Sequence, residues 1–397
     1  MKSKNRFTKK WTATTIEKFC PFVYGKGLPA RERNNNGKIP VYGSNGIIGY
    51  HDKALINSHS VIIGRKGTIG ATHFSKKTCW PIDTTFYIYP KKNIEMRFVY
   101  YLLKNLHLDK MDSDTAVPGL NRNRAHEISI KVPDYDEQLS ISTTLGGLDD
   151  KIILLKKSNK FLEQTLMSIF GSWFIAFENQ KNLVQSELGN IPQGWKVVSI
   201  GRLANFIKGF SYKGVEKFHS PAEYIFVTLN NIKEGGSFKP EYTWIESDRL
   251  KERHFLKEGD LIIANTEQTK DGRLLTTPAM VFFYYDYQKK KGVYSHHITK
   301  IIPKKKNLKF FLFALFYYKH HDFAKSYHTG TGVWGFDYKN FQEHFITICP
   351  SNDILERFES IGEIFFKKIF DNEKQIQILI KIRNLLLSKL ISGEIRV

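Results

Sequence analysis

Cysteine is scarce in this chain of 397 residues, and no long hydrophobic run occurs in it. The three cysteines, Cys20, Cys79 and Cys349, are odd in number and far apart, and they show no paired spacing. A disulfide framework and a zinc module are therefore excluded, and a reducing cytoplasm is the expected compartment. The basic stretch from Met1 to Lys10 is not followed by an apolar one, and no run of about 18 apolar residues exists elsewhere. We therefore expect neither a targeting segment nor a membrane span.

Acidic residues are also in deficit. Lysine and arginine number 60 against 39 aspartates and glutamates, which gives a formal net charge of +21 at pH 7 and a pI near 9.6. This excess favours a polyanionic partner, and nucleic acid is the first hypothesis. A soluble or ribosome-associated basic protein remains the alternative, because charge alone does not decide.

The residues that nucleotide or nucleic-acid chemistry needs are missing. Residues 64–70, Gly-Arg-Lys-Gly-Thr-Ile-Gly, lack the Gly-x4-Gly-Lys-Ser/Thr spacing that wraps phosphates. Residues 133–138 contain carboxylates without a lysine, as the first turn of a helix commonly does, so they do not indicate a nuclease site. The chain also has no Asn/Asp-Pro-Pro-aromatic tetrapeptide for methylating a base amine and no glycine loop for S-adenosylmethionine. We therefore predict no catalytic residue.

Histidine pairs and an aromatic stripe have plain structural interpretations. The adjacent pairs His296-His297 and His320-His321 are expected to point their side chains apart, so we predict no metal site. The aromatic stripe within residues 309–325 has helical spacing and is interpreted as core rather than as a base-stacking platform. Its members include Phe310, Phe311, Phe313 and Phe316.

The chain contains an internal repeat. Six residues near the N-terminus recur 184 positions later: Trp11, Ile16, Phe19, Phe22, Val23 and Gly25 match Trp195, Ile200, Leu203, Phe206, Ile207 and Gly209. Residues 126–133 recur as residues 343–350, at an offset of 217. The difference between 217 and 184 means that the second copy carries 33 additional residues. Two units of similar design but different surface suit a protein that reads two different things at a fixed separation.

Each copy reads as a mixed α/β unit that leads into a long helix. In the first copy, β-like runs and a helical stretch occupy residues 60–64, 85–89 and 95–110. In the second copy, the matching pieces are residues 259–264, 298–302 and 309–325. The polar stretch between the copies is interpreted as a linker.

Heptad spacing marks the two long helices as coiled-coil partners. The first seam consists of Ile141, Leu145, Leu148, Ile152, Leu155, Asn159, Leu162, Leu166, Ile169 and Trp173. The second, less regular seam consists of Phe358, Phe365, Ile369, Asn372, Ile376, Leu379, Leu386 and Leu390, with Gly362 and Arg383 as weak members. A parallel pair would set the globular units side by side. An antiparallel pair would separate them by about 60 Å, for roughly 40 residues at about 1.5 Å each.

One asparagine interrupts each seam near the middle of its helix. Asn159 counts to an a position and Asn372 to a d position, and a layers stack on d layers in antiparallel coiled coils. A buried amide without a partner costs roughly 1–3 kcal/mol. We therefore predict that the two amides meet and hydrogen-bond to each other. The alternative is that one or both face water or a partner subunit.

Several motifs resemble the specificity subunit of type I restriction–modification systems. They are Lys38-Ile-Pro-Val-Tyr-Gly-Ser-Asn-Gly46, residues 62–70, Val132-Pro133 with Glu137-Gln138, and residues 189–195 and 385–394. The resemblance spans essentially the whole chain, and the repeat, the helices and the motifs agree in order. The second copy departs from the first, because residues 259–267 replace the Gly-Arg-Lys-Gly loop. This difference favours the interpretation that the loops of the two copies are adapted to two different half-sites.

The resemblance implies an α+β fold. Two mixed α/β target-recognition domains would each be followed by a long helix, and the helices would pack as an antiparallel coiled coil with a pseudo-twofold internal repeat. The expected domains are residues 1–135 and 191–350 for target recognition, 136–178 and 351–397 for the two helices, and 179–190 for the linker.

The resemblance also implies a non-catalytic subunit that binds a bipartite, asymmetric site on double-stranded DNA, one half per domain. Its expected partners are two modification (methyltransferase) subunits and the restriction/translocase subunits, which together defend the cell against foreign DNA. S-adenosylmethionine for adenine methylation, ATP and Mg would be bound by those partners, so we expect no cofactor on this chain.

Candidate DNA contacts follow from side-chain chemistry. Arginine, asparagine and glutamine discriminate bases through paired hydrogen bonds, whereas lysine and hydroxyl groups mostly hold phosphate. The candidates in the first domain are Ser44, Asn45, Arg65, Lys66, Arg122 and Arg124, and those in the second are Lys213, Asn230, Asn231, Gln268, Lys270, Arg273 and Lys339. Each could equally be a solvated surface residue, and the asparagines could be turn formers. Gly119 and Gly335 are interpreted as backbone fixtures.

Two rival hypotheses belong to other classes. One is a stand-alone DNA methyltransferase or endonuclease with an unrecognised active site, which would transfer methyl groups or cut DNA as a purified chain. The other is a structural adaptor for RNA or protein. An adaptor would show no sequence preference on duplex DNA above the salt-dependent background.

Overall fold

The computed structural model describes residues 10–34, 36–111, 119–178, 180–267, 272–284, 287 and 290–397. The chain divides into two compact units. Unit 1 comprises residues 1–153 and 378–397, and unit 2 comprises residues 154–377. Each unit therefore contains one copy of the repeat together with part of both long helices. Within the described residues, no helix is long and apolar enough to cross a membrane.

Unit 1 is built around a four-stranded sheet covered by a helix. Its strands are β1 (Thr12–Thr15), β2 (Val23–Tyr24), β3 (Ile39–Gly43), β4 (Gly46–His51), β5 (Ser60–Gly64), β6 (Thr72–Ser75), β7 (Trp80–Pro81), β8 (Thr85–Ile88) and β9 (Ser129–Val132). Its helices are α1 (Ile16–Phe19), α2 (Met96–Asn105), α3 (Arg122–His126) and the first part of α4 (Tyr135–Phe170). The sheets have the orders β2-β8-β5-β6 and β4-β3-β7.

The core of unit 1 forms because its central strand is apolar on both faces. Val61, Ile62 and Ile63 of β5 are fully buried, as expected for a β-branched run in the middle of a sheet. Helix α2 packs on this sheet, and Leu390 from the end of the chain belongs to the same core.

Unit 2 repeats this plan with additional strands. Its strands are β10 (Leu183–Ser186), β11 (Gly189–Pro192), β12 (Lys196–Ser199), β13 (Ala204–Lys208), β14 (Lys217–Phe218), β15 (Tyr224–Val227), β16 (Thr243–Ile245), β17 (Phe255–Leu256), β18 (Leu261–Ala264), β19 (Thr266–Glu267), β20 (Pro278–Met280), β21 (Gly292–Tyr294), β22 (Ile298–Pro303), β23 (His328–Thr329), β24 (Trp334–Phe336) and β25 (Ile346–Cys349). Its helices are the second part of α4, α5 (Lys309–Ser326), α6 (Tyr338–His344) and most of α7 (Asn352–Ser392). The four-stranded sheet has the order β13-β22-β18-β20, and a five-stranded sheet has the order β14-β16-β15-β21-β17.

The aromatic stripe of α5 is buried core, as predicted.

Strand pairing reproduces the sequence repeat residue by residue. In unit 1, β1 pairs with β9 so that Thr12 faces Val132, and in unit 2, β12 pairs with β25 so that Lys196 faces Cys349. Adding 184 to the first residue and 217 to the second converts one pair into the other. The offset of 184 therefore relates the first strand of the pair in the two units, and the offset of 217 relates the second strand.

The same comparison shows where the additional residues lie. Val61 pairs with Ile88 in unit 1, and Leu261 pairs with Ile301 in unit 2, which gives offsets of 200 and 213. The offset thus grows from 184 to 200 between β13 and β18. Unit 2 forms strands of its five-stranded sheet in this stretch, so about half of the 33 additional residues enlarge the domain surface there.

The long helices run antiparallel within each unit. In unit 2, Asn372 Nδ2 donates to Asn159 Oδ1 over 2.8 Å, and both side chains are buried. In unit 1, Arg383 Nη1 lies 2.8 Å from Asp149 Oδ1. Residues late in α7 thus contact residues early in α4, and the predicted meeting of the two asparagines is confirmed.

The predicted hydrogen bond between the two amides is present, but it is a single bond and not a reciprocal pair. Asn159 donates its own Nδ2 to Glu373 Oε1 over 2.7 Å. Asn372 Oδ1 has no hydrogen-bond partner among the described residues. The glutamate competes successfully because a carboxylate is a stronger acceptor than an amide.

Most predicted seam positions are buried, including Leu145, Ile152, Leu155, Leu166 and Ile376, while Leu148, Leu162 and Leu379 are half-buried. One detail differs from the prediction: Phe366 is more deeply buried than Phe365. Arg383, predicted as a weak member, lies in the seam, where Asp149 neutralises it.

The predicted linker at residues 179–190 is not structureless. Strands β10 and β11 form a hairpin there, with Leu183 facing Pro192, and Gly189 has a φ of +87° beside the turn. The polar composition of this stretch concealed a short two-stranded pairing, because both strands of a surface hairpin can be exposed.

Candidate nucleic-acid interface

Two predicted arginines of unit 1 converge on one aromatic ring. The guanidinium of Arg122 lies 5.0 Å from the ring centroid of Tyr24, and that of Arg65 lies 5.4 Å from it. Tyr24, at the end of β2, is 49% exposed and packs against Phe86. Arg65 donates from Nε and Nη2 to the carbonyl of Asp83 over 3.1 and 2.9 Å. These contacts hold a cationic and aromatic surface in place at the edge of the unit.

The Gly-Arg-Lys-Gly loop presents Arg65 and Lys66 because its glycines permit a tight turn between β5 and β6. Gly67 and Gly70 have φ values of +78° and +70°. A Cβ on Gly70 would lie 2.3 Å from the backbone nitrogen of Asp109, so no other residue fits. These glycines are backbone fixtures, and Lys66, which directly precedes Gly67, is exposed.

The remaining candidates of unit 1 are not part of the Tyr24 cluster. The Ser44 hydroxyl is buried and donates to the carbonyl of Thr84 over 2.7 Å, so its assignment to DNA is corrected to a structural hydrogen bond. Asn45 is exposed in the two-residue turn that joins Gly43 and Gly46. Arg124 is exposed on α3.

The repeat places different residues at the equivalent positions of unit 2. The offset of 184 converts Tyr24 into Lys208, at the end of β13. Helices α3 and α6 are capped by Asn121 and Asp337, which are 216 residues apart, and the same offset converts Arg122 into Tyr338. Lys208 and Tyr338 line one cleft of about 690 Å³. Unit 1 thus has a ring on the strand and a cation on the helix, whereas unit 2 has the reverse.

The cleft of unit 2 is basic. Arg249, Lys251, Arg253 and His254 line it together with Lys208. Arg249 binds both carboxylate oxygens of Glu216, from Nε over 3.1 Å and from Nη2 over 2.6 Å, and holds the pKa of Glu216 down at about 2. It also lies 4.8 Å from the ring centroid of Phe210. Arg249 is therefore fixed in place, and Lys208 and Lys251 are exposed at the same cleft.

The prediction that the side chains of each histidine pair point apart was wrong. The ring centroids of His296 and His297 are 3.9 Å apart, and those of His320 and His321 are 4.0 Å apart. Burial lowers the pKa of both His296 and His297, which favours their neutral forms. Neutral rings can lie against each other. No group of three potential metal ligands occurs among the described residues.

Asn231 is corrected from a DNA contact to a turn former. It is 1% exposed, its Oδ1 accepts from the backbone nitrogen of Thr228, and its Nδ2 donates to two carbonyls. The other described candidates of unit 2, Lys213, Asn230, Arg273 and Lys339, are exposed. Gln268 and Lys270 lie outside the described residues.

Sequence reasoning missed Tyr24, Lys208, Tyr338 and the arginines of the second cleft. A signal was present for the first two, because each directly precedes a matched glycine of the repeat, Gly25 or Gly209. A position that differs between two otherwise matched segments is a candidate for specificity. The arginines carried no such signal, because they lie between matched segments, where the two copies cannot be aligned by a constant offset.

Comparison with known proteins decides the family. The family described as Type I restriction modification DNA specificity domain matches residues 8–164 and again residues 192–383. The chain belongs to this family. Each match covers one copy of the repeat and much of the helix that follows it. The resemblance inferred from the motifs is confirmed: the chain is a DNA-recognition specificity subunit, a role without catalysis of its own.

Individual relatives support the same assignment. The type I restriction enzyme MjaIX specificity subunit of Methanocaldococcus jannaschii is 27% identical over 350 residues, which cover 85% of this chain and 78% of that protein. The MjaVIII specificity subunit of the same organism is 22% identical over 222 residues, or 55% of this chain and 49% of that protein. The crystal structure of the type I restriction–modification S subunit from M. genitalium aligns with a TM-score of 0.60 at 15% identity, covers 98% of both chains, and shows that the fold is shared.

Proposed function

We propose that each unit reads one half of a bipartite, asymmetric site on double-stranded DNA. The observation that supports this most is the exchange between Tyr24 and Arg122 in unit 1 and Lys208 and Tyr338 in unit 2. The same two backbone positions offer DNA a ring and a cation in opposite order. Since hydrogen-bond donors and apolar groups read different base edges, such an exchange suits two different half-sites.

The chain would bring two modification subunits and the restriction/translocase subunits to this site in the cytoplasm. Large apolar side chains on the long helices support partner docking, because exposed apolar groups commonly mark interaction surfaces. In unit 2, Phe161 is 68% and Ile364 is 67% exposed, and in unit 1, Leu385 is 64% exposed. S-adenosylmethionine, ATP and Mg would be bound by the partner chains.

The first test maps methylated adenines in the host genome and then repeats the mapping with a Tyr24→Ala/Arg122→Ala variant. We expect relaxed base preference in one half of the motif only, with specific binding weakened about 10- to 100-fold, as for a lost base contact of about 1–3 kcal/mol. A Tyr50→Ala/Arg31→Ala variant is the control, because both side chains are exposed in the same unit. Unchanged preference in the first variant, or equal loss in the control, would contradict the assignment of these two residues.

The enzyme hypothesis has its own test. The purified chain is incubated with DNA and S-adenosylmethionine, and separately with DNA, ATP and Mg. We expect neither methyl transfer nor cleavage until the partner subunits are added. Activity of the chain alone would overturn the non-catalytic role.

A further inference from the structure

Unit 2 has a second cleft, which is lined by cationic side chains. Most of them are not part of the cleft proposed to read the half-site. Its volume is about 760 Å³, and it is formed by β17, the start of β18, the end of β22 and the start of α5. The cations that line it are Arg253, Lys257, Lys291, Lys300, Lys306 and Lys309.

Some of these charges are already satisfied within the protein. Lys300 donates to the carbonyl of Phe255 over 2.8 Å, lies 3.7 Å from Asp260 and is mostly buried. Of the other carboxylates that line the cleft, Glu258 is 3.4 Å from Lys374, and Glu359 accepts from the backbone nitrogen of Phe310. Glu252 is exposed at the rim.

Three lysines of the cleft are exposed, and the ammonium of one of them, Lys291, lies 5.1 Å from the ring centroid of Phe255. Lys257 and Lys291 are exposed, and the side chain of Lys306 is 91% exposed, with the nearest carboxylate, that of Glu363, 3.9 Å away. Lysine suits phosphate as a mobile point charge that does not select bases. The cleft thus offers anion binding without sequence reading.

Arg253 lines both this cleft and the cleft that contains Lys208 and Tyr338. The two clefts therefore adjoin each other at this residue. Duplex DNA presents a phosphate charge about every 1.7 Å along its axis, so a DNA segment that enters the first cleft can continue past the second.

We propose that the cleft lined by Lys257, Lys291 and Lys306 binds the phosphate backbone of DNA beside the half-site that unit 2 reads. The proposal rests on the proposed function, since it takes DNA to occupy the neighbouring cleft. It adds a contact that strengthens binding without changing the recognised sequence.

The experiment compares the 397-residue chain with a Lys257→Gln/Lys291→Gln/Lys306→Gln variant on duplexes with and without the mapped target, over a range of salt concentrations. Each lost phosphate contact should reduce the slope of log affinity against log salt by about 0.9. We expect the slope to fall by about 2 to 3, with the ratio of specific to non-specific binding retained. The control variant, Lys239→Gln/Lys325→Gln, removes lysines that line neither cleft and should lower the slope less per lysine.

Other outcomes would overturn the proposal. An unchanged slope, a slope that falls equally per lysine in the control, or a loss of base discrimination would exclude a backbone contact at this cleft. Tight binding of tripolyphosphate that the triple variant loses, with the DNA slope unchanged, would indicate a small-anion site. Weaker assembly with the modification subunits and unchanged DNA binding would indicate an acidic protein segment. If the unaltered chain shows no sequence preference, the proposed function itself fails, and this result is distinct from all the others.

Discussion

Asn159 makes two hydrogen bonds inside the helix pair, whereas Asn372 makes one. Replacing Asn159 by leucine removes the acceptor of Asn372 and the donor to Glu373. We expect this single change to destabilise the chain by about 1–3 kcal/mol and by more than Asn372→Leu does. The double variant should be more stable than the unaltered chain, because two leucines fill the seam without a buried polar group.

Urea unfolding of the two single variants and the double variant measures these differences. The double change also removes a device that specifies alignment, so a looser register should accompany the higher stability. Additive destabilisation in the double variant would show that the two amides are independent of each other.

At the level of the helices, each long helix has a glycine where the covering helix of its own unit crosses it. A Cβ on Gly146 would lie 2.5 Å from Cζ of Arg97, which donates to the Gly146 carbonyl and to Asp150. A Cβ on Gly362 would lie 2.3 Å from Cγ of Phe310, a buried ring. The two glycines are 216 residues apart, so the repeat preserves this crossing.

Alanine scanning of these glycines should separate crowding from helix propensity. Gly362→Ala should cost about 2–3 kcal/mol, because a buried ring must move. Gly146→Ala should cost less, because the flexible end of Arg97 can shift. Gly147→Ala is the matched control: nothing lies within 4 Å of the added Cβ, so it should stabilise by up to about 1 kcal/mol. Thermal unfolding gives the order, and equal effects at positions 146 and 147 would contradict the crossing.

A carboxyl group of α7 caps α5. The residue before α5, Leu308, offers no side-chain cap, and Glu359 Oε2 accepts from the Phe310 nitrogen over 3.0 Å. Burial raises the pKa of Glu359 from 4.5 to about 7. Because the pKa is higher in the folded chain than in the unfolded chain, folding favours the protonated carboxyl. Its contribution to the free energy of unfolding is fully present below about pH 4.5 and is lost as the pH rises through about 7.

Glu359→Gln should remove this pH dependence while it keeps an oxygen acceptor for the cap. We expect the variant to exceed the unaltered chain in stability by on the order of 1–3 kcal/mol at pH 8, and the gain to shrink as the pH approaches 5. Urea unfolding at both pH values measures it. A gain that is the same at both would mean that the carboxyl does not titrate in this range.

For the whole molecule, two separate cores predict modular specificity. The core of unit 1 does not include the sheet of unit 2, and each unit has its own copy of the matched strands. Replacing residues 1–135 with the equivalent region of a relative should therefore change one half of the methylated sequence and leave the other half and the spacing intact. Methylation mapping of the chimera tests this, and a change in both halves would refute two independent readers.

The design of the chimera also has to take account of the C-terminal residues, which pack in unit 1. Leu387, Leu390 and Ile391 belong to the core of unit 1, although they lie far from it in sequence. We expect a chimera that also takes residues 378–397 from the same relative to have a higher melting temperature than one that takes residues 1–135 alone. The two melting temperatures, measured side by side, check this refinement.

The repeat, the two helices and the meeting of the asparagines could be predicted from the order of residues alone, because they depend on periodicity and on constant offsets. The offsets 184 and 217 relate the pair Thr12–Val132 to the pair Lys196–Cys349, although the pairing itself was seen only in the structure. Periodicity is a local property of the chain, and the spacing of side chains along a strand or a helix follows directly from it.

Tertiary packing is needed to show which polar residues share a surface. Tyr24, Arg65 and Arg122 meet because the sheet order β2-β8-β5-β6 and the placement of α3 bring distant segments together. Asn230 and Asn231 are neighbours of the same type, yet one is exposed and the other is surrounded by backbone groups that bond to it. Asn231 is held by Thr228, Lys239 and Glu241, all within ten residues of it, so the way the turn closes, and not the residue type, separates it from Asn230.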